Sequence, residues 1–327
     1  MDLVEPDLNI KLEGFYREDV ANQLGQIVFG IVQAFNEHST LNLSKLKEIV
    51  VSCDFASSLQ NATTKYNHES PSSFTKSKQG AAVGQLVSKI SPEGLYAEYT
   101  LVLAIDFFVE LFNEQGEIDC NGDSIKPVMH RLHHELVHVH EKNTLTCLDP
   151  SLRINDYEDA LMLTAYRAWS EYFANYISSS SAPQEVVEGF LKNLETVLKE
   201  IPDEIETLVW DYKNRLISLD EMYVEVKKRV RLIANSCGYA YGYINSLDIN
   251  LNKYFPELKY QMSNSKINEP LESLVKGLKN LMERFEKNEI SGYEDFNESS
   301  EAIDHIFRSF GLTLEWVNES NLYIHVN

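Results

Sequence analysis

The chain has 327 residues, of which 43% are hydrophobic and 24% charged, an ordinary globular composition that excludes wholesale disorder and a disulfide-dense miniprotein. Its 29 basic and 50 acidic side chains give a net charge of −21, which disfavours phosphate backbones and anionic membranes as partners. We therefore expect no nucleic-acid and no membrane partner. The four cysteines form no C-x-x-C pair, and the N-terminus lacks signal-peptide features. We expect a cytoplasmic protein with reduced thiols.

The first half of the chain mixes helical and strand patterns. Residues 18–37 carry apolar side chains at i, i+4 and i+7 spacing, which predicts an amphipathic helix. Three strand-like runs follow, at 48–53, 82–87 and 96–106. The polar segment 57–79 is predicted as a long loop. Helical patterns resume near residue 125 and over 156–178.

A serine run ending in Ala182-Pro183 interrupts the pattern, and we place a domain boundary there. The predicted domains are 1–180 and 181–327. The second is mainly helical, and its last residues alternate apolar and polar around 318–321, which predicts a terminal β-hairpin. Strands and helices in this order predict an α+β fold.

One predicted helix carries a histidine motif. Residues 127–141 read PVMHRLHHELVHVHE and contain an H-E-x-x-H match at 134–138. On a helix, side chains four residues apart share one face, so His134 and His138 can both reach one tetrahedral metal ion. At about 100° per residue the two imidazoles lie opposite the apolar face. Glu135 can reach a metal-bound water without binding the metal itself. We therefore predict a Zn²⁺ site.

A catalytic zinc site needs a third protein ligand and an open position for water. The longer metzincin motif requires a glycine and a histidine where this chain has Glu141 and Thr144, so that chemistry is excluded. No histidine occurs between His140 and His305, which leaves a carboxylate as the expected third ligand. The downstream candidates are Asp149, Asp156, Glu158, Asp159 and Glu171. Glu171 is favoured because it lies within a predicted helix, on a face of small residues that would let another helix approach closely.

The H-E-L-V-H motif followed by W-S-E-Y-F-A-N at 169–175 resembles the gluzincin metallopeptidases, and the E-x-x-A-N string is similar to their compact ImmA/IrrE-like group. The resemblance covers residues 40–180. It implies a zincin-like (minigluzincin) domain with a small mixed sheet and two active-site helices, and hydrolysis of a peptide bond. The implied zinc ligands are His134, His138 and Glu171. It also implies Glu135 as general base and Asn175 as a residue that orients a ligand histidine.

A peptidase of this kind needs a second donor for the developing oxyanion. His130 precedes the first ligand histidine by one helical turn, and Arg167 precedes Glu171 by one turn. Both are candidates. The alternatives are a surface position for His130 and, for Arg167, an ion pair with an acid such as Glu171 or Glu141.

The leading hypothesis is therefore a zinc peptidase acting on a peptide or protein. His133 and His140 are expected to be structural or solvated. The strand at 96–106 is expected to flank the cleft, where its edge could bind an extended peptide, and the alternative is a plain core strand. A deformylase is disfavoured because Cys120 lacks the E-G-C context that such enzymes require. The alternative is a catalytically silent or latent zincin-like module that binds a regulatory partner through its C-terminal half, although a scaffold has no need of an acid at Glu135.

Overall fold

The computed structural model describes residues 8–66, 76–77, 80–81, 83–148, 154–318 and 321–327. They form an α+β chain with many helices, a small mixed sheet and a C-terminal β-hairpin. Internal contacts divide the chain into two compact units: Met1–Ser151 with Ser180–Pro183, and Leu152–Ser179 with Gln184–Asn327. This division differs from the predicted boundary because it groups the helices of 156–178 with the C-terminal helices. None of the described helices is both long enough and apolar enough to cross a bilayer.

The first unit contains the sheet and the helix with the histidine motif. Its elements are β1 (Asn9–Glu13), α1 (Glu18–His38), β2 (Leu46–Ser52), α2 (Phe55–Lys65), β3 (Lys76–Ser77), β4 (Gly80–Ala81), β5 (Gly84–Ile90), β6 (Tyr96–Ala104) and α3 (Ile125–Thr144). A 3₁₀ helix, Ile105–Leu111, joins β6 to the segment before α3. The predicted helix at 18–37 and the three predicted strands are confirmed, with shifted ends.

The main sheet has the strand order β1-β2-β6-β5. β1, β2 and β6 are parallel, whereas β5 runs antiparallel to β6 at the edge. The interior strands contain continuous buried apolar runs, 49–51 in β2 and 101–103 in β6, as is typical of parallel strands covered on both faces. Both edges of β6 are paired, so the expectation that the strand at 96–106 offers a free edge is wrong. The edge strands of this sheet are β1 and β5, and β5 is the one next to β6.

The predicted loop at 57–79 is wrong over its first part, which forms α2. The Asp54 carboxylate caps this helix by accepting a hydrogen bond from the backbone N–H of Ser57 at 3.1 Å. Leu59 and Ala62 then bury the inner face of α2 in a cluster with residues of the sheet. Of the rest of the predicted loop, the structure describes only Tyr66 and β3.

The second unit is helical and ends in the predicted hairpin. Its elements are α4 (Asp156–Ala160), α5 (Met162–Ser178), α6 (Gln184–Lys213), α7 (Leu219–Ser246), α8 (Leu251–Tyr254), α9 (Pro256–Asn264), α10 (Asn268–Glu286), α11 (Asn297–Ser309), β7 (Leu312–Asn318) and β8 (Asn321–Val326). Ser218 and Glu221 form a capping box at the start of α7. Strands β7 and β8 pair antiparallel, which confirms the hairpin.

Helices α5 and α7 approach each other closely at two glycines of α7. An added Cβ at Gly238 would lie 2.1 Å from the carbonyl oxygen of Ala168, and one at Gly242 would lie 2.6 Å from that of Tyr172. Only a residue without a side chain permits these contacts between backbones. Within this unit, α7 is therefore the helix that packs closely against the small residues of α5.

We expect Gly238→Ala to destabilise the protein by about 3 kcal/mol or more, because the added methyl group would meet a backbone atom that cannot rotate away. The matched control is Gly189→Ala in α6, where an added Cβ meets no atom within 4 Å. Since glycine inside a helix costs about 0.5–1 kcal/mol relative to alanine, the control should stabilise by that amount. Denaturant unfolding of both variants measures the free energies. Equal effects would contradict the close packing of α5 on α7.

Candidate metal centre

The apolar residues and the two motif histidines of helix α3 lie on different faces of the helix. Leu132, Leu136 and Val139 are fully buried on the inner face. His134 and His138 are only partly buried. Because the apolar residues fix the rotation of α3 about its own axis, the two imidazoles project from the other side, as the helical wheel predicts.

His134 and His138 are arranged as a pair of nitrogen ligands. Their Nε2 atoms lie 3.2 Å apart and their rings are nearly perpendicular, at 85°. Two nitrogens bound to one tetrahedral zinc at 2.0–2.1 Å would be about 3.3 Å apart. The donor atoms therefore have the chemistry and the separation that a zinc ion requires of two ligands.

A buried carboxylate lies beside the other nitrogen of His138. Glu141 Oε2 is 3.4 Å from His138 Nδ1, and the Glu141 side chain is completely buried. An acceptor there favours the tautomer with a proton on Nδ1, which leaves Nε2 free to bind a metal. Sequence reasoning missed this role, although the i, i+3 spacing from His138 places Glu141 on the same side of the helix and could have revealed it.

Glu135 lies against the backbone of the edge strand. An added Cβ at Gly84, the first residue of β5, would lie 3.0 Å from Glu135 Oε1 and 3.0 Å from Leu103 Cδ2. The absence of a side chain at Gly84 therefore makes room for the Glu135 carboxylate beside β5. The predicted general base therefore lies beside β5, the edge strand that pairs with β6.

His130 and His133 share one hydroxyl group. Ser181 Oγ lies 3.1 Å from His130 Nδ1 and 2.9 Å from His133 Nδ1. A hydroxyl has a single proton to donate, so at least one of the two imidazoles must donate its own N–H to Ser181. Both histidines are buried, and the alternative of a surface position for His130 is therefore wrong. Its role as an oxyanion donor stays a prediction.

His133 and His140 have structural surroundings. His133 stacks on Phe35 with ring centroids 4.2 Å apart, and burial, followed by the charge of His134, lowers the pKa of His133 to about 4. His140 Nδ1 accepts a hydrogen bond from the backbone N–H of Asn42 at 2.9 Å, and burial lowers its pKa as well. Both imidazoles are therefore neutral at pH 7. His133 contributes to packing, and His140 contributes a hydrogen bond to the backbone.

Helix α5 carries the other predicted site residues, all within the second unit. Glu171 and Arg167 are partly buried there, and Asn175 is fully buried. Asn175 Nδ2 donates to the carbonyl oxygen of Tyr239 in α7 at 2.9 Å. Within the described residues no carboxylate forms an ion pair with Arg167, so the alternative of an ion-pair role is wrong. The roles of Glu171 as zinc ligand and of Asn175 beside a ligand histidine stay predictions.

Comparison with known proteins identifies no relative. No protein-family model, no curated protein and no solved structure matches the chain.

We expect Glu141→Gln to weaken zinc binding by about ten- to a hundredfold, because the amide loses the charge that polarises His138 through Nδ1. Titration against a competing chelator measures the affinity. Glu114→Gln is the matched control, since it removes the same charge from an exposed position of the same unit. A loss of affinity that is equal in both variants would instead indicate a long-range effect of net charge.

Proposed function

We propose that the protein is a zinc-dependent peptidase that hydrolyses a peptide bond in a peptide or protein substrate. The proposed zinc ligands are His134, His138 and Glu171, and the proposed general base is Glu135. The observation that carries this proposal is the 3.2 Å separation of the His134 and His138 Nε2 atoms, which suits two ligands of one zinc ion.

The length of the chain is compatible with Glu171 as third ligand. Glu171 stands seven residues before the last residue of α5, Ser178, a helical distance of about 10 Å. Three residues further on, Ser181 forms hydrogen bonds with His130 and His133 of α3. The segment that follows α5 is therefore anchored on the helix that carries the proposed histidine ligands.

The chemistry follows from the residues around the proposed site. Bound zinc would supply a Lewis acid and would lower the pKa of a coordinated water to about 7. The Glu135 carboxylate would accept the proton of the attacking water at one oxygen and return it to the leaving amine. Glu141 would keep His138 Nε2 unprotonated. His130 and Arg167 remain the proposed candidates for a second donor to the oxyanion.

The setting is proposed from charge and cysteine usage. All four cysteines are free, which is typical of proteins from a reducing compartment, and we propose a cytoplasmic location. The net charge of −21 favours a protein or peptide partner over nucleic acid or an anionic membrane. In the alternative function, a silent or latent module, the C-terminal half would bind a regulatory protein and peptide hydrolysis would be absent.

We expect the purified protein to hold about one zinc per chain and to cleave members of a proteome-derived peptide library. Glu135→Gln should retain the zinc and lower cleavage by about a hundredfold or more, because it removes the proton acceptor but no ligand. Metal analysis and mass spectrometry of the library measure the two properties. Zinc with no cleavage would favour the silent module, whereas equal cleavage by Glu135→Gln would exclude the proposed base.

We expect Glu171→Ala to weaken zinc binding by about a hundredfold or more, since loss of a direct ligand should exceed the effect of an outer residue. The measurement is again competition with a chelator, with circular dichroism to confirm folding. Glu200→Ala, an exposed acid on α6, is the control for lost charge. Unchanged affinity in Glu171→Ala would move the third ligand to another carboxylate.

A further inference from the structure

A cluster of cations surrounds one carboxylate in the second unit. Asp159 Oδ2 lies 2.6 Å from Arg231 Nη2 and 3.0 Å from Lys227 Nζ. Burial raises the pKa of Asp159, but the hydrogen bonds from Arg231 and Lys227 outweigh this effect and leave the pKa below its usual value. Arg231 also donates to the backbone carbonyl of Asp159 at 2.9 Å. The Asp159 carboxylate is therefore shared by two cations.

Arg167 adds a third cation to this cluster without adding an acid. Burial, together with the charge of Arg231, lowers the pKa of the Arg167 guanidinium, and the charge of Asp159 opposes that effect only in part. In the part of the chain that the structure describes, Arg167 has no ion-pair partner. Other partly buried arginines do have one, as the pairs of Arg131 with Glu110 and of Arg229 with Glu204 illustrate.

A partly buried guanidinium without an ion-pair partner is unfavourable because the charge of Asp159 compensates only in part for its lost hydration. The lack of an ion-pair partner for Arg167 is unexpected in a chain with 50 acidic side chains against 29 basic ones. A carboxylate that arrived with a ligand would restore the missing interaction. Arginine suits this task because its planar guanidinium can donate two parallel hydrogen bonds to one carboxylate.

The position of Arg167 relates this cation to the proposed active site. Arg167 and Glu171 are four residues apart on α5, so they lie one turn apart on the same face, with about 6 Å of rise between them. The guanidinium is therefore within reach of a peptide bound beside Glu171.

We propose that Arg167 binds a carboxylate of the substrate, so that the enzyme prefers peptides with an acidic group near the scissile bond. The carboxylate could belong to an aspartate or glutamate side chain or to a free C-terminus. This inference rests on the proposed function through the role of Glu171. Arg167 thereby becomes a specificity residue, distinct from the oxyanion donor considered above.

The first experiment measures binding without turnover. The full-length Glu135→Gln protein, supplied with zinc, is titrated by calorimetry with blocked pentapeptides that carry glutamate or glutamine at each position in turn. A second pair has a free or an amidated C-terminus, which distinguishes the two sources of the carboxylate. We expect at least one acidic peptide to bind about tenfold more tightly than its amide counterpart, as a charge-assisted hydrogen bond would produce.

Variants of the same protein test whether Arg167 is responsible. Arg167→Gln should abolish the preference for the acidic peptide, Arg167→Lys should keep part of it, and the control Arg229→Gln should leave it unchanged. Circular dichroism confirms that each variant is folded. The proposal is overturned if Arg167→Gln keeps the preference, if acidic and amide peptides bind equally, or if no acidic peptide binds at millimolar concentration.

A second experiment separates this inference from the proposed function. Cleavage by the zinc enzyme without any acidic preference would support the peptidase and overturn the role of Arg167. If the unsubstituted protein binds acidic peptides preferentially but cleaves none of them, the role of Arg167 is supported and the peptidase is overturned. If Arg167→Gln lowers kcat equally for acidic and amide peptides with KM unchanged, Arg167 is an oxyanion donor and the specificity role is excluded.

Discussion

The buried apolar face of α3 constrains the two histidines of the candidate metal centre. Leu132, Leu136 and Val139 are inaccessible to solvent, so α3 cannot rotate about its axis without exposing them. A rotation of about 100°, the step between neighbouring helical residues, would turn the Nε2 atoms of both proposed ligand histidines away from their present direction. Packing free energy is thus what holds His134 and His138 in place as a pair, and a metal ion would find the two nitrogens already positioned.

Polar burial on the same helix is the less expected feature. His130, His133 and Glu141 are all buried, although polar groups lose favourable hydration in such positions. The structure assigns each of them a nearby polar partner: Ser181 for the two histidines and His138 for Glu141. These interactions fix ring orientation and tautomers around the proposed ligands. An apolar residue at position 141 could fill the same space but could not hold His138 Nδ1.

Sequence patterns predicted those features that depend on neighbouring residues. The histidine pair and the hairpin were accessible because helical and strand periodicity are local. Helix α2 was missed because five of its eleven residues are Ser, Thr or Asn, and it depends on the Asp54 cap and on packing of Leu59 against the sheet. The contacts of Ser181 with His130 and His133 join residues about fifty positions apart. No periodic pattern encodes such a pair, and the same limit applies to Gly84 beside Glu135.

The close packing of α5 on α7 has a consequence for the chemistry proposed on α5. Because Gly238 and Gly242 bring backbone within contact of the Ala168 and Tyr172 carbonyl groups, α5 can neither rotate nor slide along α7 without a steric clash. The backbone positions from which the Glu171 and Arg167 side chains project are therefore set by contacts between the two helices. Binding groups held in this way lose little conformational entropy when a ligand arrives. A fixed carboxylate for the metal and a fixed guanidinium for the substrate would each gain affinity from that rigidity, and substitutions at the two glycines should disturb both together.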